Sequence, residues 1–384
     1  MAGIYIHIPF CASRCIYCAF YSTTSLANQN RLVGALCTEL DLRRNYLLCK
    51  HTHTSQTTIE TIYLGGGTPS QLSEHHLQRL FDTIYNTIDK TTNLEVSPAA
   101  EVTMECNPDD LTPQFVDAIG RLPINRVSMG VQTFSDERLG FLRRRHKSGD
   151  IAPVIQRLRQ VGIANISIDL IFGFPKQTAD EWAIDLKRTI ELDVEHISAY
   201  SLMYEEGTPL FRLLQQNRVT EIDDNKSLDM FNMLIDTLTS NGYEHYEISN
   251  FAREGFRSRH NASYWQGIPY LGLGPSAHSY DGNSRQWNVS DLQEYINAIE
   301  QGKLPMEKEV LDEDTRYNDW ITTALRTKEG LNLNILSKSH REYLMHAAEK
   351  HLQQGNLILS GNYIALSRSG IFISDSIMSD LVKV

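Results

Sequence analysis

Six short apolar runs, each followed by a stretch of helical spacing, constrain this chain more than any other feature. The runs read as strands: Gly3-Ile4-Tyr5-Ile6-His7-Ile8, then Ile59 to Leu64, Glu101 to Cys106, Arg126 to Met129, Asn165 to Phe172 and His196 to Leu202. Helical periodicity fills Asn28 to Leu48, where Leu32, Val33, Leu36, Leu40 and Leu47 fall roughly on one face. Further helical stretches start at about Ser73 and lie near 113–121, 136–143, 150–161 and 178–191. The polar Thr/His/Ser stretch 51–58 reads as a loop. Strand–helix alternation repeated six times predicts a parallel sheet with helices outside, hence an α/β barrel, closed or partly closed. Six units are fewer than the eight of a complete barrel.

After about residue 210 the rhythm changes. Asp224 to Asn241 reads as a long helix, followed to about 290 by short pieces rich in Gly, Asn, Tyr and His. Helices near 313–326 and 340–354 precede two apolar runs, Leu357 to Leu359 and Tyr363 to Leu366, joined by Ser360-Gly361-Asn362, a hairpin signal. The expected division is a barrel over 1–215, an extension over 216–305 and a small, mainly helical, winged-helix-like unit over 306–384. The formal charge is −11, which argues against nucleic-acid binding, since neutralising phosphates needs a basic face. A lid or partner-docking role is therefore favoured for the last unit. No run of eighteen apolar residues predicts a membrane span, and no signal peptide is read at the N-terminus. The remaining cysteines, Cys37, Cys49 and Cys106, are scattered; with no framework of pairs they read as structural thiols of a cytoplasmic protein.

The first strand ends in Pro9 and runs into Phe10-Cys11-Ala12-Ser13-Arg14-Cys15-Ile16-Tyr17-Cys18, a C-x3-C-x2-C loop. Three thiolates in so short a loop select a soft metal centre. A structural zinc site wants four ligands, which His7 would have to complete; unpaired core cysteines are the other plain reading. Three cysteines also suit a [4Fe–4S] cluster with one iron open, and an open iron can chelate an amine and a carboxylate. S-adenosylmethionine (SAM) carries both, and its reductive cleavage yields a 5′-deoxyadenosyl radical. The loop hangs from the C-terminal end of a strand, the end where α/β barrels keep their sites.

Other candidates lie at that same end. Gly65-Gly66-Gly67-Thr68-Pro69 follows the second strand, and glycines there allow a ligand close to backbone carbonyls. Glu105, Gln132 and Asp169 are polar residues at or near the ends of the third, fourth and fifth strands. Buried acids need partners, and together these groups could ring one cavity. Arg144, one of three consecutive arginines, can bind a carboxylate bidentately, and only one of the three need turn inward.

The cysteine spacing with Tyr17 before the last cysteine resembles the radical SAM superfamily. His7-Ile8-Pro9-Phe10-Cys11 resembles its oxygen-independent coproporphyrinogen III oxidase group, which holds both the oxidase and a heme chaperone branch. The resemblance covers nearly the whole chain. It implies a three-quarter (β/α)6 barrel, cluster ligands Cys11, Cys15 and Cys18, and SAM contacts at Tyr5, Tyr17, Gly66, Gly67, Thr68, Glu105, Gln132, Arg144 and Asp169. Phe20 stands where the oxidase carries a further cysteine, and the oxidase's longer N-terminal arm has no counterpart, so the chaperone branch is the nearer one. His260-Asn261-Ala262-Ser263-Tyr264-Trp265 looks like the H-N-x-x-Y-W motif associated with heme in that branch. The motif nominates His260, Tyr264 and Trp265 as heme contacts, though from the residues alone a hydrogen-bonded corner is the plainer reading; His278, in Gly274-Pro275-Ser276-Ala277-His278, is a second candidate ligand that could equally line the SAM site. The expected cofactors are a [4Fe–4S] cluster, SAM and heme. The expected partners are heme and heme-accepting respiratory proteins, with room for a homodimer and peripheral membrane association. Catalytic turnover is left open. The alternative is oxidative decarboxylation of two coproporphyrinogen propionates to vinyls.

Overall fold

The computed structural model describes residues 1–48 and 56–384. Six strands lie side by side in sequence order: β1 (Ala2–Ile8), β2 (Thr57–Gly66), β3 (Leu94–Cys106), β4 (Arg126–Gln132), β5 (Asn165–Phe172) and β6 (His196–Ser201). Every neighbouring pair is parallel. Helices fill each connection, among them Gln29–Leu42, Glu74–Asp89, Pro113–Ile119, Ile151–Gln160 and Ala179–Glu191. Several start at a hydroxyl cap: Ser73, Thr112, Ser135 and Thr178 each accept a backbone N–H of the first turn. Such a cap stabilises a helix start by about 1 kcal/mol.

Period-two alternation sorts the strands into two faces. Ile4, Ile6 and Ile8, with Ile62, Leu64, Met104, Val127, Met129, Ile168 and Leu170, join one core with the surrounding helices. The alternate residues point into the barrel, and they are mostly polar: Tyr5, Tyr63, Glu105, Arg126, Ser128, Asp169 and Ser198 line a space there. Complete barrels fill that space with branched apolar side chains; here it is a polar chamber.

Several sequence expectations need correction. The stretch 51–58 is not all loop. Residues 51–55 and Cys49 lie outside the described residues, and Thr57 and Thr58 already belong to β2, whose first N–H, that of Thr57, donates to the Asn93 carbonyl at 2.8 Å. The first helix ends at Leu42, not Leu48, because Arg43 leaves the helical conformation and turns into a buried polar cluster. The short pieces expected up to about 290 include strands that the sequence reading did not assign. β7 (Glu244–Glu247) and β8 (Asn250–Ala252) extend the sheet beyond β6, while β9 (Tyr270–Leu273), β10 (His278–Tyr280), β11 (Ser284–Asn288) and β12 (Met306–Val310) extend it beyond β1. The result is a twelve-stranded sheet whose parallel run is covered at both edges rather than joined.

After residue 312 come the helices Glu313–Ala324 and Lys338–Gln353 with a small antiparallel sheet, β13 (Leu331–Asn332), β14 (Leu357–Ser360) and β15 (Tyr363–Leu366), in the order β13-β15-β14. The predicted hairpin is β14–β15. This unit has its own core, including Tyr317, Ile321, Leu344, Leu357, Ile364 and Ile377. Arg326 bonds Glu247 at 3.0 Å, and Lys328 and Arg257 bridge to Glu244. Among the described residues no helix is long and apolar enough to cross a membrane.

Candidate cofactor site

The cysteine loop is held at both ends and at its middle. The Cys11 N–H donates to the Thr23 carbonyl at 2.9 Å, and the Thr23 N–H donates to the Pro9 carbonyl at 2.7 Å. Ile16, between the second and third cysteines, is buried with Leu142, Ile171, Phe174, Leu202 and Leu210, and Tyr17 packs on the same cluster. One apolar residue inside the motif thus anchors the thiols. All three cysteines are unpaired. Burial pushes the Cys11 and Cys18 thiols up, each also raised by Cys15.

The donors around these sulfurs are those that an anionic cluster needs. Thr68 Oγ1 donates to Cys11 Sγ at 3.4 Å, and the Arg144 guanidinium donates to Cys15 Sγ at 3.5 Å. The zinc alternative fits less well. Both His7 nitrogens already have neighbours, the Tyr5 hydroxyl at 3.2 Å and the Tyr21 carbonyl at 3.3 Å. Among the described residues no three His, Cys, Asp or Glu side chains gather closely enough around one ion.

Of the three arginines only Arg144 turns inward. It lies past a helix end rather than on a helix, because Arg143 takes the left-handed conformation (φ 62°) just after Asp136–Leu142. Arg144 also donates to the Asn107 side chain at 2.7 Å and the Gly130 carbonyl at 2.6 Å, while Arg145 faces Asp110 at the surface. Gln132 ends β4 with φ 69°, a strained value for a residue with a side chain, and such strain concentrates at sites. Its amide sits beside Arg144 at the space left by Gly130. Glu105 accepts the Tyr63 hydroxyl at 2.7 Å and the Gly66 N–H at 3.2 Å, joining the glycine turn to β3. Cys11, Cys15, Thr68, Arg144 and Gln132 therefore form one end of the site, and Tyr5, Gly66, Glu105 and Asp169 its inner wall.

Burial pushes Glu105 up to about 7, and Asp169 up to about 6. A carboxyl that holds its proton more tightly when folded stabilises the fold at low pH and loses that contribution as pH rises through its folded pKa. Glu105 thus withdraws stability between about pH 4.5 and 7, with a slope of up to ~1.4 kcal/mol per pH unit for one group, against the opposite slope of the buried neutral imidazoles His7, His146 and His260, whose lowered pKa values add stability as pH rises toward 6.5. Urea midpoints of wild type and Glu105→Gln measured from pH 5 to 7.5 should diverge, the wild type losing ground to the variant as pH rises through the Glu105 titration; a constant difference would contradict the burial of this acid.

Arg126 escaped the sequence reading. It is 1% exposed, and its Nε has no partner. It projects into a chamber of about 210 Å³ with Glu105, Asp169 and Tyr200. The available signal was an arginine opening an apolar strand.

The H-N-x-x-Y-W segment is the helix Arg259–Trp265, whose first N–H groups donate to the buried Glu101. His260 is 1% exposed and enters the barrel beside Thr61. Both its nitrogens are taken, by Thr61 Oγ1 at 2.8 Å and the Tyr264 hydroxyl at 2.8 Å. Burial holds it far below its usual pKa, at about 3. It is a neutral plug of the barrel, not an imidazole offered to a metal in this arrangement. Tyr264 and Trp265 do face a second, larger cavity of about 720 Å³, as do Phe20, His278 and Trp320. The two cavities share Tyr5, Glu105 and Tyr264 as walls. Trp320 belongs to the C-terminal unit, which is therefore a wall of the site.

Residues 5–188 match the family model described as the radical SAM superfamily. The heme chaperone HemW of Bacillus subtilis (strain 168) is 36% identical over 305 residues, covering 79% of this chain and 78% of that protein. The heme chaperone HemW of Mycobacterium tuberculosis (strain ATCC 25618 / H37Rv) is 32% identical over 385 residues, covering 99% of this chain and 94% of that one. Among solved structures, coproporphyrinogen III oxidase (HemN) from Escherichia coli, a radical SAM enzyme, matches with a TM-score of 0.82 at 21% identity, covering 100% of this chain and 90% of that chain. That likeness establishes the fold.

Proposed function

The chain belongs to the HemW heme chaperone family of the radical SAM superfamily, and from that premise we propose that it binds heme beside a [4Fe–4S] cluster and SAM and hands the heme to acceptor proteins. Cys11, Cys15 and Cys18 hold the cluster, with Thr68 donating to the Cys11 sulfur and Arg144 to the Cys15 sulfur. Tyr5, Tyr17, Gly66, Gly67, Gln132 and Asp169 surround SAM, and Glu105 is the carboxylate nearest the glycine turn. The bound cluster supplies one-electron chemistry to SAM. The protein's part is to bury the thiols, fix the glycine turn and keep Glu105 and Asp169 inside the barrel.

The observation that carries the heme reading is the cavity of about 720 Å³ that begins at Gly66 and Glu105 and continues between Trp265 and Trp320. Its size and aromatic walls suit a flat macrocycle. The acceptors are respiratory heme proteins, reached in the cytoplasm or at the membrane surface, with the chain working as a monomer or a homodimer. The oxidase alternative is not favoured: relatives at 32–36% identity carry the chaperone name. Phe20, 72% exposed, stands at the cavity wall, where the oxidase group is expected to have its further cysteine.

The deciding experiment is anaerobic. Cluster-loaded protein with SAM and reductant should bind heme stoichiometrically, release it to an apo-haemoprotein and form no protoporphyrinogen IX from coproporphyrinogen III. Product formation, or failure to bind heme, would overturn the proposal.

A further inference from the structure

Three imidazoles border or approach the large cavity, and they are not equivalent. His7 is engaged by Tyr5 and Tyr21, and His260 by Thr61 and Tyr264. His278, on β10, is exposed toward the cavity and has no hydrogen-bond partner among the described residues; its ring leans on Trp287 at 6.1 Å. It is fixed from below, since its strand pairs with β11 and the neighbouring Ser279 hydroxyl accepts the Gly272 N–H at 2.9 Å. A neutral imidazole on a rigid strand is what heme iron takes as an axial ligand.

The same cavity carries two arginines. Arg285 is already neutralised by Asp319 at 3.0 Å and Glu309 at 3.1 Å. Arg316, from the helix Glu313–Ala324, donates only to the Leu311 carbonyl at 3.1 Å, so its charge is without a carboxylate among the described residues. A porphyrin bearing propionates brings the missing anion, and guanidinium–carboxylate pairing is strong and directional.

We infer that His278, rather than His260, ligates the heme iron in this cavity, and that Arg316 of the C-terminal unit pairs with a heme propionate. This deepens the chaperone reading and rests on it. Burial and Arg285 both push the His278 imidazole below its usual pKa, which keeps it neutral and able to coordinate at pH 7. The C-terminal unit then closes one side of the heme seat and supplies its counter-charge.

The experiment titrates ferric heme into the full chain and reads the Soret band and the electron paramagnetic resonance spectrum. His278→Ala should weaken binding about tenfold or more and remove the histidine-ligated signature, and added imidazole should restore it. Arg316→Ala should weaken binding of heme but not of heme dimethyl ester, which lacks the charged carboxylates. If the wild type binds and His278→Ala binds equally with the same spectrum, the ligand assignment is wrong while the chaperone reading stands. If Arg316→Ala affects heme and its ester alike, the propionate contact is wrong. If the wild type binds no heme, the chaperone reading itself fails.

Discussion

Glu39→Ala should destabilise the chain by about 3–5 kcal/mol, the loss typical when one member of a buried ion pair is removed. Glu39 is 0% exposed. It accepts from Arg43 at 3.2 Å, from the Gly274 N–H at 2.9 Å, from the Asn288 amide at 2.8 Å and from the Tyr295 hydroxyl at 2.6 Å. Arg43 spends its other donors on the Gly272 carbonyl, Ser279 and Gln286. Alanine would leave a buried guanidinium without its counter-charge and strip the other donors of a shared acceptor. The network ties the first helix to β9, β10 and β11, so it sets where the segment from Gly274 to His278 lies. The urea midpoint should drop sharply, and Glu39→Leu combined with Arg43→Met should recover part of the loss, since an apolar pair removes both charges together. A single variant within about 1 kcal/mol of wild type would show that the cluster is not a structural tie.

The barrel was legible because its code is local. Ile4, Ile6 and Ile8 alternate with Gly3, Tyr5 and His7, and the alternation holds whatever the strand pairs with. The strands that extend the sheet, β7 to β12, were not legible. β9 and β10 are four and three residues long, and β9 contains Gly272; their partners, β1 and β11, are chosen by tertiary pairing. Glu39 illustrates the same limit. Helical spacing put it beside Leu36 and Leu40, on the buried face, yet its partners Gly274, Asn288 and Tyr295 lie more than two hundred positions away.

The site divides likewise. Cysteine spacing, the glycine turn and the strand-end acids are short-range features, and the fold brings them to one end of the barrel. Which arginine turns inward depended on the left-handed Arg143, which no pattern marks. His260 has the residue type and neighbours of a metal ligand, but its fate is set by Thr61 across the sheet, 199 positions away. Sequence identifies candidate chemistry; exposure, which decides between His260 and His278, is a property of the packed chain.

The second large effect is expected at Gly67. A Cβ there would lie 2.8 Å from the Pro9 carbonyl carbon and 2.9 Å from the Ile8 and Phe10 carbonyl oxygens. These are backbone atoms, so nothing can swing aside as a long side chain would. The Gly67 N–H also donates to the Ile8 carbonyl at 2.8 Å, which locks the glycine turn to the chain entering the cysteine loop. Gly67→Ala must separate the two, carrying Cys11 away from Cys15 and Cys18 and pulling Thr68 from the Cys11 sulfur. Overpacking of this kind costs about 1–3 kcal/mol. The cluster should suffer more than the fold, because a site tolerates displacements of only about 0.5 Å. Anaerobic reconstitution of Gly67→Ala should therefore yield on the order of half the wild-type iron and sulfide or less, with far-ultraviolet circular dichroism unchanged. Gly140→Ala is the control: its Cβ would meet nothing within 4 Å, on the helix Asp136–Leu142. Full iron content in Gly67→Ala would mean that the cysteine loop adjusts to the turn, and that the glycine serves only to admit the ligand's amine and carboxylate.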